Sequence, residues 1–123
     1  MTQAIAILKC PDIGPAVQFY ISGLGFTENW RWNGGAEGQN PAYVSLSLAG
    51  AEIHLSSFPG DGVFGSAVYL RVTNLVDVEA RIKAHAPDRV EFGPVDRPWG
   101  MRELYVRDPG NNQLRFSVEA RAD

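Results

Sequence analysis

Two short segments near the end of the chain combine aromatic rings, a carboxylate and arginines in an alternating pattern. They lie within RPWGMRELYVRDPGNNQLRF, residues 97–116. Because side chains alternate across a strand, Glu103, Tyr105 and Arg115 are expected on one open sheet face. Rings gathered with a few charged groups suit stacking and directed hydrogen bonds. These residue types indicate a site for a small organic ligand, aromatic or cationic.

The candidate ligand-binding residues are aromatic or polar side chains on predicted open strand faces or turns: Trp30, Trp32, His54, Tyr69, Trp99, Glu103, Tyr105 and Arg115. Trp30 and Trp32 are two residues apart, so they share a face, but core or dimer contacts would explain them equally well. No residue is assigned a catalytic role, because the serines nearby lack the strained elbow sequence of an activated nucleophile.

Two further alternatives concern the charged candidates. Arg115 could bind an anion or carbonyl group of a ligand, or pair internally with Glu103 or Glu52. His54 could hydrogen-bond a ligand or simply be satisfied by a neighbour. The residues alone leave both questions open.

The elements that would position these side chains form an internal repeat. The segment ILKCPDI, from Ile7, resembles YLRVTNL, from Tyr69, half a chain later. In each, a strand leads into Asp12 or Asn74, which can cap a helix. Apolar residues at helical spacing follow both, over 13–24 and 75–82.

Each predicted helix is followed by three segments with alternation or β-favouring residues. They read FTENWRW, AYVSLSL and AEIHLSS in the first half, and RVEFGPV, MRELYVR and QLRFSVE in the second. The pattern predicts an α+β fold with two βαβββ modules, about 1–58 and 66–120, in one domain over 1–123. FPGDGVFGS is the predicted linker, and NGGAEGQNP a mobile loop.

Strand parity sorts the side chains into two faces. The apolar set is expected under the helices: Val44, Leu46, Leu48, Ile53, Leu55, Val68, Leu70, Val72, Leu104, Val106, Leu114 and Phe116. The open face then holds Ile5, Ile7, Glu52, His54, Ser56, Ala67, Tyr69, Arg71, Glu103, Tyr105, Gln113, Arg115 and Ser117.

Composition narrows the class of protein. The chain has 123 residues, is 45% apolar and 20% charged, and carries a formal net charge of -3. This charge and the lack of a basic run disfavour a nucleic-acid partner. No apolar run reaches membrane-spanning length, and the N-terminus lacks a signal-peptide pattern, so a cytoplasmic protein is expected. Cys10 is the only cysteine and is expected to be a small core residue.

The duplicated pattern resembles the vicinal oxygen chelate superfamily, which includes glyoxalase I, extradiol dioxygenases and bleomycin resistance proteins. The most specific matches are residues 12–20, 24–26, 98–103 and 107–109, and the last two sets resemble the bleomycin resistance branch. That branch usually has Asp-Pro-x-Gly-Asn, whereas here Gly110 comes one residue early. Asn111 then takes the usual glycine position, and since Asn tolerates left-handed geometry, a changed turn with the same fold is expected. The resemblance implies curved mixed sheets around a cleft.

The resemblance also implies where a metal would bind. Ligands of metal-dependent members would fall at Ile5, His54, Ala67 and Arg115. Only the imidazole can bind a metal, because the aliphatic side chains have no donor and arginine does not deprotonate. No metal and no cofactor are therefore expected.

Two functions from different classes follow. One is a non-catalytic protein that binds and sequesters an antibiotic-like or aromatic ligand, as a homodimer with clefts at the subunit interface. The alternative is a metal-dependent lyase, isomerase or dioxygenase that uses a rearranged set such as His54, Glu52 and Glu103. A module with an empty cleft is a third possibility. The sequence favours binding over catalysis.

Overall fold

Two four-stranded sheets and two main helices make up the structure, a computed structural model that describes residues 1–33 and 39–121. The first half contains β1 (Ala6–Lys9), α1 (Ile13–Gln18), β2 (Thr27–Trp32), β3 (Tyr43–Leu48) and β4 (Ala51–Ser56). The second contains β5 (Ala67–Arg71), α2 (Leu75–His85), β6 (Val90–Asp96), β7 (Met101–Arg107) and β8 (Gln113–Glu119). The element order is βαβββ twice, which confirms the predicted α+β fold.

The two sheets have the same topology. Their strand orders are β1-β4-β3-β2 and β5-β8-β7-β6. The first strand of each half pairs in parallel with the last, and the other pairs are antiparallel. Each half thus builds its own mixed sheet, and corresponding positions of the repeat occupy equivalent places.

Both helices begin at the predicted caps. The Asp12 carboxylate accepts a 3.2 Å hydrogen bond from the Gly14 amide, and the Asn74 side chain accepts one of 3.1 Å from the Asp77 amide. Each satisfies an amide that the first helical turn leaves without a partner. The first helix continues into a π-helical turn, Phe19–Gly23, and a 3-10 turn, Pro87–Arg89, follows the second.

The hydrophobic core confirms the parity assignment. All twelve side chains expected under the helices are buried in the core or packed against it. They meet apolar residues of both helices, including Ile13, Tyr20 and Ile82, each 0% exposed. Cys10 is also buried, at 1% exposure, as expected of a core residue. The helices therefore pack on one face of each sheet, as the parity argument predicted.

A buried carboxylate at the β7–β8 turn ties the two halves together. Asp108 is 0% exposed and accepts a 2.7 Å hydrogen bond from the Tyr20 hydroxyl of the first half. It also accepts from the amides of Gly110 and Asn112, each at 2.8 Å. Asn111 has φ 63°, so it takes the left-handed geometry that was expected of it.

Two connecting segments were predicted as loops. Residues 57–66, which include all of FPGDGVFGS, contain neither helix nor strand and join the two sheets. Within NGGAEGQNP, residues 34–38 lie outside the described part of the chain, so the mobility of that loop stays a prediction. No helix of the described residues is long and apolar enough to cross a membrane.

Candidate functional site

The eight predicted ligand-binding residues fall into two groups, one on each sheet. Trp30, Trp32 and His54 belong to the first sheet. The second group consists of Tyr69, Glu103, Tyr105 and Arg115 on strands of the second sheet, with Trp99 on the turn between β6 and β7. Trp99, Tyr105 and Arg115 of the second group line a pocket, whereas Tyr69 and Glu103 lie outside its lining. This group is described first.

Glu103 is the centre of the second group. It is 1% exposed, and its Oε2 accepts hydrogen bonds from the Tyr69 hydroxyl at 2.6 Å and from the Trp99 indole Nε1 at 2.9 Å. Its Oε1 accepts one from the Tyr105 hydroxyl. One carboxylate thus holds three aromatic side chains in place. Because Glu103 is buried beneath them, it supports these rings and does not itself face a ligand.

The surroundings of Glu103 keep it ionised. Burial acts to raise the pKa of its carboxyl, but the hydrogen bonds from Tyr105, Tyr69 and Trp99 and the charge of Arg97 bring it below the ordinary value. Hydrogen bonds to the charged form and a nearby cation both favour ionisation. A buried anion with this many donors is a fixed structural charge.

The turn before β7 places Arg97 beside the same rings. The Gly100 amide donates to the Arg97 carbonyl at 3.0 Å, and Gly100 has φ +88°, a conformation that favours glycine. The Arg97 guanidinium lies 5.7 Å from the Trp99 ring centre and 5.3 Å from that of Tyr105. Its Nε donates to the Tyr105 hydroxyl at 2.9 Å. The turn therefore delivers a cation to the aromatic group.

Arg115 reaches Tyr105 from the neighbouring strand. It is the register partner of Tyr105 on β7 and of Tyr69 on β5, and its guanidinium lies 5.6 Å from the Tyr105 ring centre. Its Nε donates to the Gln113 side chain at 2.5 Å. Among the described residues Arg115 forms no ion pair with Glu103 or Glu52, so the interpretation that it pairs internally with either is wrong.

These side chains line a pocket of about 340 Å³ on the open face of the second sheet. Its walls are Glu91, Phe92, Arg97, Trp99, Tyr105, Gln113 and Arg115. Trp99 is 63% exposed and Phe92 51%, so both offer ring surface to a ligand. Large exposed rings beside fixed polar groups match the general character of small-molecule sites.

The first sheet carries a separate aromatic and polar cluster. Trp30 and Tyr43 stack with ring centres 5.8 Å apart and planes 9° apart, and His54 packs edge-on against both. The Tyr43 hydroxyl and His54 Nδ1 are 2.7 Å apart, and His54 Nε2 lies 2.8 Å from Glu52. Both ring nitrogens of His54 thus have hydrogen-bond partners, which agrees with the interpretation that its neighbours satisfy it.

The Glu52 carboxylate contacts two polar side chains. Its Oε2 accepts from Ser45 Oγ at 2.8 Å as well as contacting His54. The hydrogen bond from His54, and then that from Ser45, lower the pKa of the Glu52 carboxyl. The cluster holds an ionised Glu52 beside an imidazole at neutral pH.

Trp30 and Trp32 share the open face but contact different partners. Trp30 is 48% exposed and Trp32 59%, so neither is a core residue. Trp32 stacks on Phe58, with ring centres 5.3 Å apart. Both rings are therefore accessible to a ligand or to a second protein surface.

The donor set does not fit a metal ion. The described residues contain no group of three His, Cys, Asp or Glu side chains that could hold one. His54 and Glu52 lie together on the first sheet, whereas Glu103 lies on the second with both carboxylate oxygens bound to other donors. Within the described residues, His54, Glu52 and Glu103 therefore do not come together as a set of metal ligands.

Several residues of the two groups, including Tyr43, Ser45, Glu91, Phe92 and Arg97, were not among the candidates from the sequence. Tyr43 and Ser45 alternate with Val44 and Leu46 in AYVSLSL, so the same parity argument could have found them. Phe92 and Arg97 gave a weaker signal. The register between β6 and β7 is irregular around Phe92, and Arg97 lies on a turn, where no alternation applies.

Similar solved structures share this fold. The bleomycin resistance determinant encoded on the transposon Tn5 has a TM-score of 0.76 and 20% identity over 97% of this chain and 98% of that chain. TnmS3, an antibiotic binding protein from Streptomyces sp. CB03234, has a TM-score of 0.72 and 22% identity over 97% and 98%. A glyoxalase-related enzyme from Clostridium phytofermentans has a TM-score of 0.77 and 17% identity over 97% and 95%.

The fold and the sequence agree on the family. A comparison with curated proteins gives no match. The family model described as "Glyoxalase superfamily protein" matches residues 1–123, the whole chain. Together with the bleomycin resistance fold of its two mixed sheets, this match shows that the chain belongs to the glyoxalase superfamily, as the resemblance to vicinal oxygen chelate proteins implied.

Proposed function

We propose that this protein binds a small planar organic molecule in the pocket of the second sheet and sequesters it without changing it chemically. The observation that carries the proposal is the rigid support of the pocket. One buried carboxylate, Glu103, holds Tyr69, Trp99 and Tyr105 through hydrogen bonds. Rings fixed before binding lose little conformational entropy when a ligand stacks on them.

The chemistry of the pocket supports binding over catalysis. A general base needs a pKa near the working pH, whereas the pKa of Glu103 is lowered and its oxygens already accept three donors. The Tyr105 hydroxyl donates to Glu103 and accepts from Arg97. These polar groups are committed to one another, so they orient the rings.

Two proteins of similar structure support this proposal. The Tn5 determinant is a bleomycin resistance protein, and TnmS3 is an antibiotic binding protein. An antibiotic-like ligand is therefore part of the proposal. The alternative, a metal-dependent lyase, isomerase or dioxygenase, would need a donor set that the described residues do not bring together.

We further propose that two copies of this single-domain chain form a homodimer in the cytoplasm. Large apolar side chains remain exposed on the open faces of both sheets, including Ile7 at 44%, Trp30 at 48% and Tyr69 at 45%. A second copy would cover such surfaces and enclose the ligand between subunits. Sedimentation equilibrium should give twice the chain mass of 13.5 kDa, and a monomer at high micromolar concentration would contradict this.

Titration followed by tryptophan emission tests the binding role. Bleomycin and a panel of planar aromatic compounds should include at least one that changes the emission saturably, because Trp99 borders the pocket. If none of them changes the emission, while some substrate is turned over, the proposal is wrong.

A further inference from the structure

We infer that the second-sheet pocket contains an anion subsite, in which Arg97 and Arg115 bind the acid group of a planar aromatic ligand. This inference rests on the proposed function and specifies the charge of its ligand. The acid group would be a carboxylate or a group of similar charge and shape. Arginine suits it because the guanidinium fork matches a carboxylate with two parallel hydrogen bonds.

The two guanidinium groups lie close enough to share one ligand. Both are within 5.6 Å of the Tyr105 ring centre, and both line the same pocket of about 340 Å³. Arg97 comes from the turn before β7 and Arg115 from β8, so two separate elements contribute a guanidinium group to the lining of this pocket. We infer that the acid group of a ligand held in the pocket contacts both.

The terminal nitrogens of both arginines have no partner among the described residues. Arg97 uses Nε toward Tyr105, and its ion-pair contact with Glu103 is 3.9 Å long and also made by Nε. Arg115 uses Nε toward Gln113. Each guanidinium therefore presents its Nη atoms for an acceptor that the described chain does not supply.

The charge around the pocket also favours an anion. Glu91 is neutralised by Arg107, whose Nε lies 2.6 Å from it, and it accepts from Gln113 as well. Glu103 lies beneath the surface at 1% exposure. Around the pocket, three positive charges (Arg97, Arg107 and Arg115) therefore face two negative charges (Glu91 and Glu103). The whole chain, by contrast, has a formal net charge of -3.

A cationic ligand, which the sequence had left open, fits this pocket poorly. It would meet two guanidinium groups at the surface. The two carboxylates that could attract it are already engaged, Glu103 by three donors and Glu91 by Arg107 and Gln113. The exposed faces of Trp99 and Phe92 remain as the stacking walls for the aromatic part.

Three probes with the same naphthalene ring and different charge test the inference: 2-naphthoate, neutral 2-naphthamide, which has nearly the same shape, and 2-naphthylmethylammonium. The wild-type protein should bind 2-naphthoate at least about tenfold more tightly than the amide, because a hydrogen bond to a charged group is strong in a partly buried site. The preference should shrink as salt is added, since the charges are screened.

Substitution of Arg115 tests whether this side chain causes the preference for 2-naphthoate over the amide. Arg115→Gln should lower naphthoate affinity about tenfold and leave the amide nearly unchanged, and Arg115→Lys should restore part of it. Lys83→Gln, which removes one cation from a surface pair with Glu79 on α2, is the matched control and should change neither. Within residues 1–33 and 39–121, the Arg115 side chain hydrogen-bonds Gln113, lies over the Tyr105 ring and acts on Glu91 through its charge. All three partners keep other contacts, so the folded state should survive its replacement.

The outcomes separate this inference from the proposed function. Equal binding of naphthoate and amide, or tightest binding of the ammonium probe, would overturn the anion subsite and leave the binding role intact. A preference for naphthoate that Lys83→Gln removes as fully as Arg115→Gln would overturn it too. If none of the three probes binds at millimolar concentration, both the subsite and an aromatic-binding pocket are contradicted.

Discussion

The indole Nε1 of Trp99 donates a 2.9 Å hydrogen bond to the buried carboxylate of Glu103. Trp99 itself is 63% exposed, so this bond fixes a ring whose face remains open to solvent. The Trp99 ring is therefore held in one position while most of its surface stays accessible. The first two predictions concern these two residues, the buried Glu103 and the exposed Trp99.

Glu103→Gln should destabilise the protein by about 1–3 kcal/mol at pH 7, because the amide cannot accept all the donors that the carboxylate satisfies. The loss should depend on pH. The folded-state pKa of Glu103 lies below its ordinary value of 4.5, so its stabilisation is present above 4.5 and is lost as pH falls through the folded value.

Urea unfolding at a series of pH values checks this. The difference in unfolding free energy between wild type and Glu103→Gln should be constant from pH 7 to about pH 5 and shrink below that. A difference that stays the same down to pH 3 would show that Glu103 is not held ionised by its neighbours.

Trp99→Ala should weaken the binding of a planar aromatic ligand by about tenfold, because one stacking wall of the pocket is lost. Phe64→Ala, which removes another exposed ring from the segment between the sheets, is the control and should leave affinity unchanged. Calorimetric titration of both variants makes the comparison. Equal loss in the two would mean that the ligand does not stack on Trp99.

The β7–β8 turn should respond differently at two adjacent positions. Asn111 has φ 63°, so Asn111→Val should cost about 1–2 kcal/mol of stability, whereas Asn111→Gly should change it by less. Gly110→Ala should cost more than either, since a Cβ there would collide with the Lys9 carbonyl. Thermal unfolding ranks the three variants, and a tolerated Gly110→Ala would show that β1 does not approach the turn this closely.

Cys10 should be unreactive in the folded protein. Burial, and next the negative charge of Asp108, raise the pKa of its thiol to about 12, so almost no thiolate forms at pH 8. A disulfide reagent such as DTNB should react with one thiol per chain in 6 M guanidinium chloride and with almost none in buffer. Reaction at similar rates in both would place Cys10 at the surface.

Much of the fold follows from local signals in the sequence. The capping side chains of Asp12 and Asn74 mark both helix starts, and two-residue alternation places apolar side chains such as Val44 and Leu114 in the core. These signals are short-range and repeat in both halves. The fold was therefore predictable once the duplication had been recognised.

The candidate site was only partly predictable. Alternation put Glu103, Tyr105 and Arg115 on one face, but it could not show that Glu103 is covered by donors. Nor could it place Arg97, whose position depends on the turn that Gly100 closes. Burial and turn geometry come from contacts between strands, which a residue pattern does not contain.

The most direct test of the account is to recover a bound ligand and ask whether it has changed. Bleomycin and 2-naphthoate are each incubated overnight with an equal concentration of protein, with and without added Zn, Mn, Ni or Fe. Free and bound fractions are then separated by dialysis, and the probe in each is identified by its mass and its chromatographic retention time. The account predicts that at least one probe is retained by wild type, less by Trp99→Ala, and recovered with its original mass and retention time in every sample. Metal-dependent conversion of a probe to a product that differs in mass or in retention time would contradict it.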